Sequence, residues 1–313
     1  MTTKPHPDEA LGMLYAGGTY VLWGFVPLYW ALLEGTSPFE ITLHRIFWGA
    51  AVALAITLLR GHWKNIAAVF RERRLLARLA VSSVLIGLNW TIFIYCVATH
   101  QLVESSLGYY LTPLVSIGLG VALLGEKVSR LRIAAIALAV VAVGVQAYAL
   151  GHVPWVAPAL ALSFGVYGYV RKLTPVDSLD GLTVETLLLL PIAAAVLGWL
   201  AVEGTGAFTP SNVPRDLLLA GGGPITLVPL VLYAAGVKRI RMTTLGFLQY
   251  LSPTITLIVA MTLMGEPFTR VDAVTFAIVW MAVMLAAADG QLSRVRPGIR
   301  SPAPATRPGD SSP

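Results

Sequence analysis

The chain has 313 residues, of which 56% are hydrophobic and 12% charged, against roughly 25% charged in an ordinary soluble domain. A mean hydropathy of +0.74, with no polar stretch long enough to make a shell, excludes a water-soluble fold and makes lipid the solvent for most of the chain. The Lys and Arg residues behind the formal net charge of +6 sit almost wholly in one set of loops, so it speaks of topology and anionic lipid, not of nucleic acid.

In chain order, residues 1–11 are a polar tail with Pro5 and Pro7. No small-residue cleavage site follows the first apolar run, which reads as a retained helix. Ten apolar runs follow, near 12–33, 41–59, 79–98, 105–124, 132–149, 154–170, 181–202, 217–236, 243–264 and 271–288. Each approaches the roughly 20 residues that cross a hydrocarbon core as a helix. They are continuous rather than alternating, which excludes barrel strands. Residues 290–313 are rich in Pro, Ser and Arg, cannot bury a core, and are expected to be a disordered cytoplasmic tail. The expected fold is an all-α integral membrane protein of ten transmembrane helices. Cys96 is the single cysteine, so intramolecular disulfides and paired-thiol metal or redox motifs are excluded.

Basic residues orient the spans. With the N-terminus inside, 19 of the 22 Lys and Arg face the cytoplasm, the opposite loops keep Arg215 and Arg270, and Arg45 lies within a span. That asymmetry follows the positive-inside rule and requires an even number of spans with both termini cytoplasmic. The basic stretch from Arg71 to Arg78 is a cytoplasmic loop on this reading.

An offset of 140 residues aligns Tyr110-Leu111-Thr112-Pro113 with Tyr250-Leu251-Ser252-Pro253. Gly125-Glu126 then falls on Gly265-Glu266, Ser129 on Thr269 and Arg130 on Arg270. The pattern Y-L-[ST]-P-x11-G-E-x2-[ST]-R at one spacing marks a duplication. The expected units are a first repeat at 12–149 and a second at 150–289, each of five spans. Five is odd, so the second half enters the membrane inverted, as in secondary transporters whose halves rock about a midplane site. In the Gly-Glu-x2-[ST]-Arg turns, Glu126 with Arg130 and Glu266 with Arg270 are placed to pair locally, and Ser129 or Thr269 to cap the next helix.

Ionisable groups at membrane depth cost about 2.5–3.5 kcal/mol for Arg on insertion scales, so each is a functional candidate. His44 and Arg45 lie in the second span near its outer end and share a face with Trp48. Arg45 can pair there with Glu40. Glu185 lies near the cytoplasmic end of the seventh span and aligns with Arg45 at the 140-residue offset, so the halves put opposite charges at mirrored sites. Asn89, Trp90 and Phe93 share a face of the third span, Ser106, Tyr109, Tyr110 and Pro113 one of the fourth, and Gln249 and Pro253 one of the ninth. Pro113 and Pro253 remove backbone hydrogen bonds and are expected to break their helices toward a cavity.

No H-E-x-x-H, G-x-S-x-G or G-x-x-x-x-G-K-[ST] occurs, so no catalytic residue, metal ligand or cofactor is assigned. Asp177 and Asp180 form one D-x-x-D in a cytoplasmic loop, which reads as a solvated turn and is the sole support for an alternative, a membrane-embedded enzyme or accessory acting on a lipid-linked substrate.

Glu40-Ile41-x2-His44-Arg45, Asn89-Trp90, Leu107-Gly108-Tyr109-Tyr110-Leu111-x-Pro113-Leu114, Gly125-Glu126, Pro154-Trp155-Val156-Ala157, Leu162-Ser163-Phe164-Gly165-x-Tyr167-Gly168 and Leu248-Gln249-Tyr250-x2-Pro253 resemble the RarD-type branch of EamA transporters, in the drug/metabolite transporter superfamily. The resemblance implies a bacterial inner-membrane carrier of small metabolites, amino-acid-like solutes or drugs, usually outward, with a central cavity lined by the first, third, fourth, sixth, eighth and ninth spans. It places Trp23, Asn89, Trp90, Tyr109, Tyr110, Tyr167, Gln249 and Tyr250 near that cavity as substrate-binding residues. It leaves His44, Arg45 and Glu185, on spans that are not its main lining, for coupling or gating. The acidic residue that short multidrug relatives carry in the first span is absent here, so their proton coupling is not carried over. The partners expected are a small-molecule substrate and the lipid bilayer, for a monomer or a homodimer.

Overall fold

The computed structural model describes residues 7–124, 129–151, 154–237, 239 and 248–295. Those residues are entirely helical apart from turns: α1 (Pro7–Ala31), α2 (Pro38–Leu59), α3 (Trp63–Arg71), α4 (Arg73–Ala98), α5 (Leu102–Leu124), α6 (Arg130–Leu150), α7 (Val156–Lys172), α8 (Ser178–Val202), α9 (Val213–Val237), α10 (Leu251–Thr262) and α11 (Arg270–Val295). Six of them, α1, α2, α4, α6, α8 and α9, carry 18 or more residues apolar enough to cross a bilayer. With α5, α7, α10 and α11 they make the ten spans of an all-α membrane protein.

The helix starts follow local rules. Proline opens α1 and α2, where its missing N–H would have no intrahelical partner, and Asp8 and Glu9 stand in the first turn of α1. Asp177 caps α8 by accepting from the Leu179 N–H at 3.2 Å. Thr269 caps α11 reciprocally with Asp272: the Asp272 carboxylate accepts from the Thr269 N–H at 2.7 Å, and the Thr269 hydroxyl accepts from the Asp272 N–H at 3.2 Å.

Two expectations from the sequence are corrected. Pro113 does not break α5, which continues through it; Pro253 lies in the first turn of α10, which starts at Leu251 just past the turn residues Gln249 and Tyr250, inside the ninth run. The short α3 is not in the ten-run reading: it buries only Ile66 and Val69, beside Leu79 and Val184, and leaves Trp63 and Phe70 exposed.

Helix pairing repeats across the chain. The starts of α2 and α8, of α4 and α9, and of α6 and α11 are each 140 residues apart. The packing obeys the same exchange: α5 lies on α7 as α10 lies on α1, and α4 on α7 as α9 on α1, while α2 meets α8, α5 meets α10 and α6 meets α11, each helix against its counterpart. Close contacts are duplicated too. A Cβ on Gly165 of α7 would stand 2.7 Å from Val115 of α5, and one on Gly24 of α1 2.5 Å from Ile255 of α10, with Val115 and Ile255 at the repeat offset. The repeat-mates Tyr110 and Tyr250 stack on each other, rings 5.8 Å apart at 18°.

Candidate functional site

Polar side chains within the bundle gather into three groups, each built by helices from both halves. Arg45 on α2 is 8% exposed. Its guanidinium carbon lies 4.2 Å from the ring centre of Trp90 on α4 and 5.3 Å from that of Trp30 on α1. Its Nε donates to the Thr226 hydroxyl of α9 at 2.9 Å. The Gly221–Gly223 run makes this possible: a Cβ on Gly223 would lie 2.6 Å from the Trp48 carbonyl carbon, and one on Gly222 3.2 Å from the Trp30 ring, so α9 reaches the α2 backbone and the Trp30 side chain of α1 only because these positions lack side chains. A buried charge costs several kcal/mol to desolvate, and a cation–π contact in a dry site returns about 2 kcal/mol. The two indoles therefore leave much of the cost of burying Arg45 standing.

The second group surrounds Glu185 on α8, which is fully buried. Its carboxylate accepts from the Ser82 hydroxyl of α4 at 2.5 Å and from the Tyr167 hydroxyl of α7 at 3.3 Å, and lies 3.6 Å from Arg171 Nε. Arg171 packs over Gly181, whose missing side chain leaves room for the guanidinium.

Between the two sits Asn89. Its amide donates to the Leu160 carbonyl at 3.2 Å and to Ser163 Oγ at 3.0 Å, and its carbonyl accepts from the Tyr109 hydroxyl at 3.2 Å. Tyr109 packs edge-on against Phe93 and Phe164, and Phe164 against Tyr167, so an aromatic path joins Asn89 to the Glu185 group.

The proposed binding residues divide accordingly. Trp90, Asn89, Tyr109 and Tyr167 enter these groups. Trp23 packs with Tyr20 and Tyr233 in a separate aromatic cluster between α1 and α9. Tyr110 hydrogen-bonds Thr254 and stacks on Tyr250, which stands with Gln249 in the turn before α10. His44 does not join Arg45; it stacks on Phe208 with rings 5.4 Å apart, and its Nε2 is 3.9 Å from Glu40. Glu40 accepts from the Ala207 N–H at 2.5 Å and is not the partner of Arg45. Trp30, Thr226, Ser82 and Arg171 were not singled out in the sequence, and Ser163 stood there only within a motif; the Gly221–Gly223 run is the signal that could have pointed to a close approach of helices.

The second of the duplicated turns acts differently from the local pairing expected of it. Gly125 and Glu126 lie outside the described residues, and Arg130 opens α6. Gly265 turns the chain at φ +67°. Glu266, 5% exposed, accepts from the Leu102 and Val103 N–H groups at 2.8 and 2.9 Å, capping α5 of the other half, while Arg270 is exposed. Glu266 and Arg270 form no ion pair among the described residues. A cap on two buried N–H groups at a helix's positive end outweighs an exposed ion pair.

The two aspartates are likewise structural. Asp177 caps α8, and Asp180, 3% exposed rather than solvated, bonds His62 Nδ1 at 3.0 Å and Asn65 at 3.1 Å, fastening α3 to α8. The described residues hold no cluster of three or more metal-ligating side chains. A groove of about 690 Å³ between α6 and α11, lined by Val141, Tyr148, Arg270 and Val274 among others, lies away from all three polar groups.

Comparison with known proteins agrees with this arrangement. The EamA-like transporter family matches residues 10–147 and again 155–288. An "uncharacterized transporter" of Vibrio cholerae is 38% identical over 288 residues, 92% of this chain and 95% of the relative. Protein RarD of Escherichia coli K12 is 37% identical over 278 residues, 89% of this chain and 94% of the relative. A solved crystal structure that is 20% identical superposes with a TM-score of 0.56 over 91% of this chain and 99% of its own, and so shares the fold.

Proposed function

The chain belongs to the EamA-like transporter family, and on that ground we propose that it exports a small metabolite, amino-acid-like solute or drug across the bacterial inner membrane by alternating access. The observation that carries this reading is the exchange symmetry of the packing, which fits one axis between the halves: α2 meets α8, α5 meets α10 and α6 meets α11, and the most extensive of the other contacts, α5 on α7 with α10 on α1 and α4 on α7 with α9 on α1, occur in mirrored pairs. With five spans to a half, at about 12–149 and 150–289, the second half runs through the membrane in the opposite sense. Rocking about the axis then closes one end as it opens the other.

The concentration of basic residues in alternate loops supports cytoplasmic termini. On that orientation the Arg45 group lies toward the outer face and the Glu185 group toward the cytoplasm. Asn89, Trp90, Tyr109 and Tyr167 line the path between them, and Glu185 with Arg171 gates its cytoplasmic end. Trp23, Gln249, Tyr110 and Tyr250 flank the same path on α1, α5 and α10. The enzyme alternative loses its support, because both aspartates it relied on hold helices in place.

The test is flux. Purified protein in proteoliposomes is loaded with candidate amino acids or chloramphenicol, and saturable exit with counterflow is the expected result. Equal impermeance to all of them, in protein that retains its fold, refutes the proposal. Metabolite profiling of cells with and without overexpression then identifies the physiological cargo.

A further inference from the structure

We propose that Arg45 is the receptor for a carboxylate on the transported solute, held by the free edge of the guanidinium while an apolar body lies against the neighbouring indoles; this rests on the transporter reading and names its substrate class. The argument begins with an uncompensated charge. Arg45 is more than nine-tenths buried, yet its single hydrogen bond among the described residues is Nε to Thr226, and no carboxylate lies within ion-pair distance. Its Nη1 is buried without an acceptor. The acids on the elements packed around it are engaged elsewhere: Glu40 holds the Ala207 N–H and Asp216 the Thr209 N–H.

The surroundings add donors, not acceptors. Trp30 Nε1, on a ring that faces the guanidinium, is also buried without a partner. Buried polar groups in native proteins are nearly always satisfied, so two unmatched donors side by side, Arg45 Nη1 and Trp30 Nε1, mark a place where an acceptor belongs. The geometry says which kind. Trp90 and Trp30 cover the guanidinium and Thr226 takes Nε, which leaves the Nη edge. That planar fork matches the two oxygens of a carboxylate. The indoles beside it offer apolar walls for an aryl or branched body, and Trp30 and Trp90 make binding visible in fluorescence.

The experiment titrates full-length protein in lipid nanodiscs, followed by tryptophan fluorescence, with 3-phenylpropionate, 3-phenylpropanol, 3-phenylpropylamine, sodium chloride and sodium phosphate. The expected result is a saturable response to the carboxylate at least about tenfold tighter than to the alcohol, the margin of a charge-assisted hydrogen bond. The amine and the inorganic salts should give none. Arg45→Gln should abolish the preference, and Arg45→Lys, which keeps the charge and loses the fork, should weaken it. If Arg45→Gln does not fold, the wild-type series and Arg45→Lys decide.

Equal response to alcohol and carboxylate overturns the proposal, as does full preference retained in Arg45→Gln or Arg45→Lys, saturation by chloride or phosphate at the same concentrations, or no response to the carboxylate. Failure of the two readings is separable. Counterflow of neutral or cationic solutes that Arg45→Gln leaves intact refutes the carboxylate site and keeps the transporter, whereas carboxylate-selective binding without any flux does the reverse.

Discussion

Glu266 offers the sharpest test of how the two halves are joined. Its carboxylate receives the first two N–H groups of α5, at Leu102, fully buried, and Val103, 8% exposed. Hydrogen bonds to a charged group contribute about 1.5–3 kcal/mol each, and a negative charge at a helix N-terminus adds about 0.3–1 kcal/mol. Glu266→Gln keeps one acceptor oxygen and loses the other together with the charge, a cost of about 2–4 kcal/mol on those figures. Glu266→Ala strands both N–H groups away from water and costs about 3–6 kcal/mol. Arg270→Ala, at an exposed residue not paired with Glu266, should stay within about 0.5 kcal/mol. At about 2–4 °C per kcal/mol for larger chains, Glu266→Ala lowers the midpoint by roughly 6–24 °C. The assay heats detergent-solubilised variants and reads the monodisperse fraction by size exclusion. Equal small shifts for Glu266→Ala and Arg270→Ala, with coupling between them in a double-mutant cycle, would refute the cap and restore the local ion pair.

Other perturbations follow from the same contacts. Gly223→Ala drives a Cβ into the Trp48 backbone, which cannot yield as a side-chain tip can; the expected loss is about 1–3 kcal/mol, with weaker flux as Thr226 is drawn away from Arg45. Asp180→Ala releases His62 and Asn65 and should cost about 1–3 kcal/mol, with faster limited proteolysis near α3, an effect absent if the aspartate were merely a solvated turn. Glu185→Ala removes a buried carboxylate that receives the Ser82 and Tyr167 hydroxyls and faces Arg171, and should cost about 1–3 kcal/mol, whereas Glu185→Gln keeps an acceptor for Ser82 and costs less; similar stability of the two variants would count against these contacts. Gly181→Ala displaces the Arg171 tip and should alter flux as Arg171→Met does, without comparable loss of stability.

The spans were legible because lipid demands an unbroken apolar run, and the duplication because Tyr-Leu-[ST]-Pro and Gly-Glu recur at one spacing. The helix α3 was not, since a half-buried helix of nine residues shows neither a long run nor a charge-free segment. Arg45 and Glu185 stood out by the cost of ionisable groups at membrane depth, but their partners did not. Thr226 is 181 residues from Arg45 and Ser82 is 103 from Glu185, beyond any local pattern. For Glu266 the nearest-neighbour rule pointed to Arg270, and the acceptor's true use, 164 residues away at Leu102, became visible only when the fold brought α5 beneath the turn. Three consecutive glycines in α9 were the one sequence signal of this long-range packing. Each costs a helix about 0.5–1 kcal/mol, so their presence asks for a backbone close by.

The duplicated scaffold carries chemistry that is not duplicated, and this bears on how an alternating carrier is biased. At the 140-residue offset, Arg45 aligns with Glu185, but none of their polar partners is repeated: Ser82 aligns with Gly222, Arg171 with Ala31, Thr226 with Ile86, and Trp90 with Leu230. Symmetric packing makes the two rocked states close in energy, because each contact surrendered in one half is regained in the other. The unmatched groups then set the difference. In the conformation described here Glu185 has its counter-ion and hydroxyl donors, while Arg45 has two indoles and a single hydroxyl. On the alternating-access reading, the satisfied end holds the bundle shut and the unsatisfied end waits for cargo. A carboxylate that completes the Arg45 shell lowers the energy of any state able to admit it, and it shifts the equilibrium only by its differential affinity for the two states. Neutralising Glu185 should therefore raise leak in the absence of carboxylate, and neutralising Arg45 should abolish carboxylate-dependent exchange without raising leak. Identical phenotypes for the two variants would show that the mirrored charges act as one unit and that this division of labour is wrong.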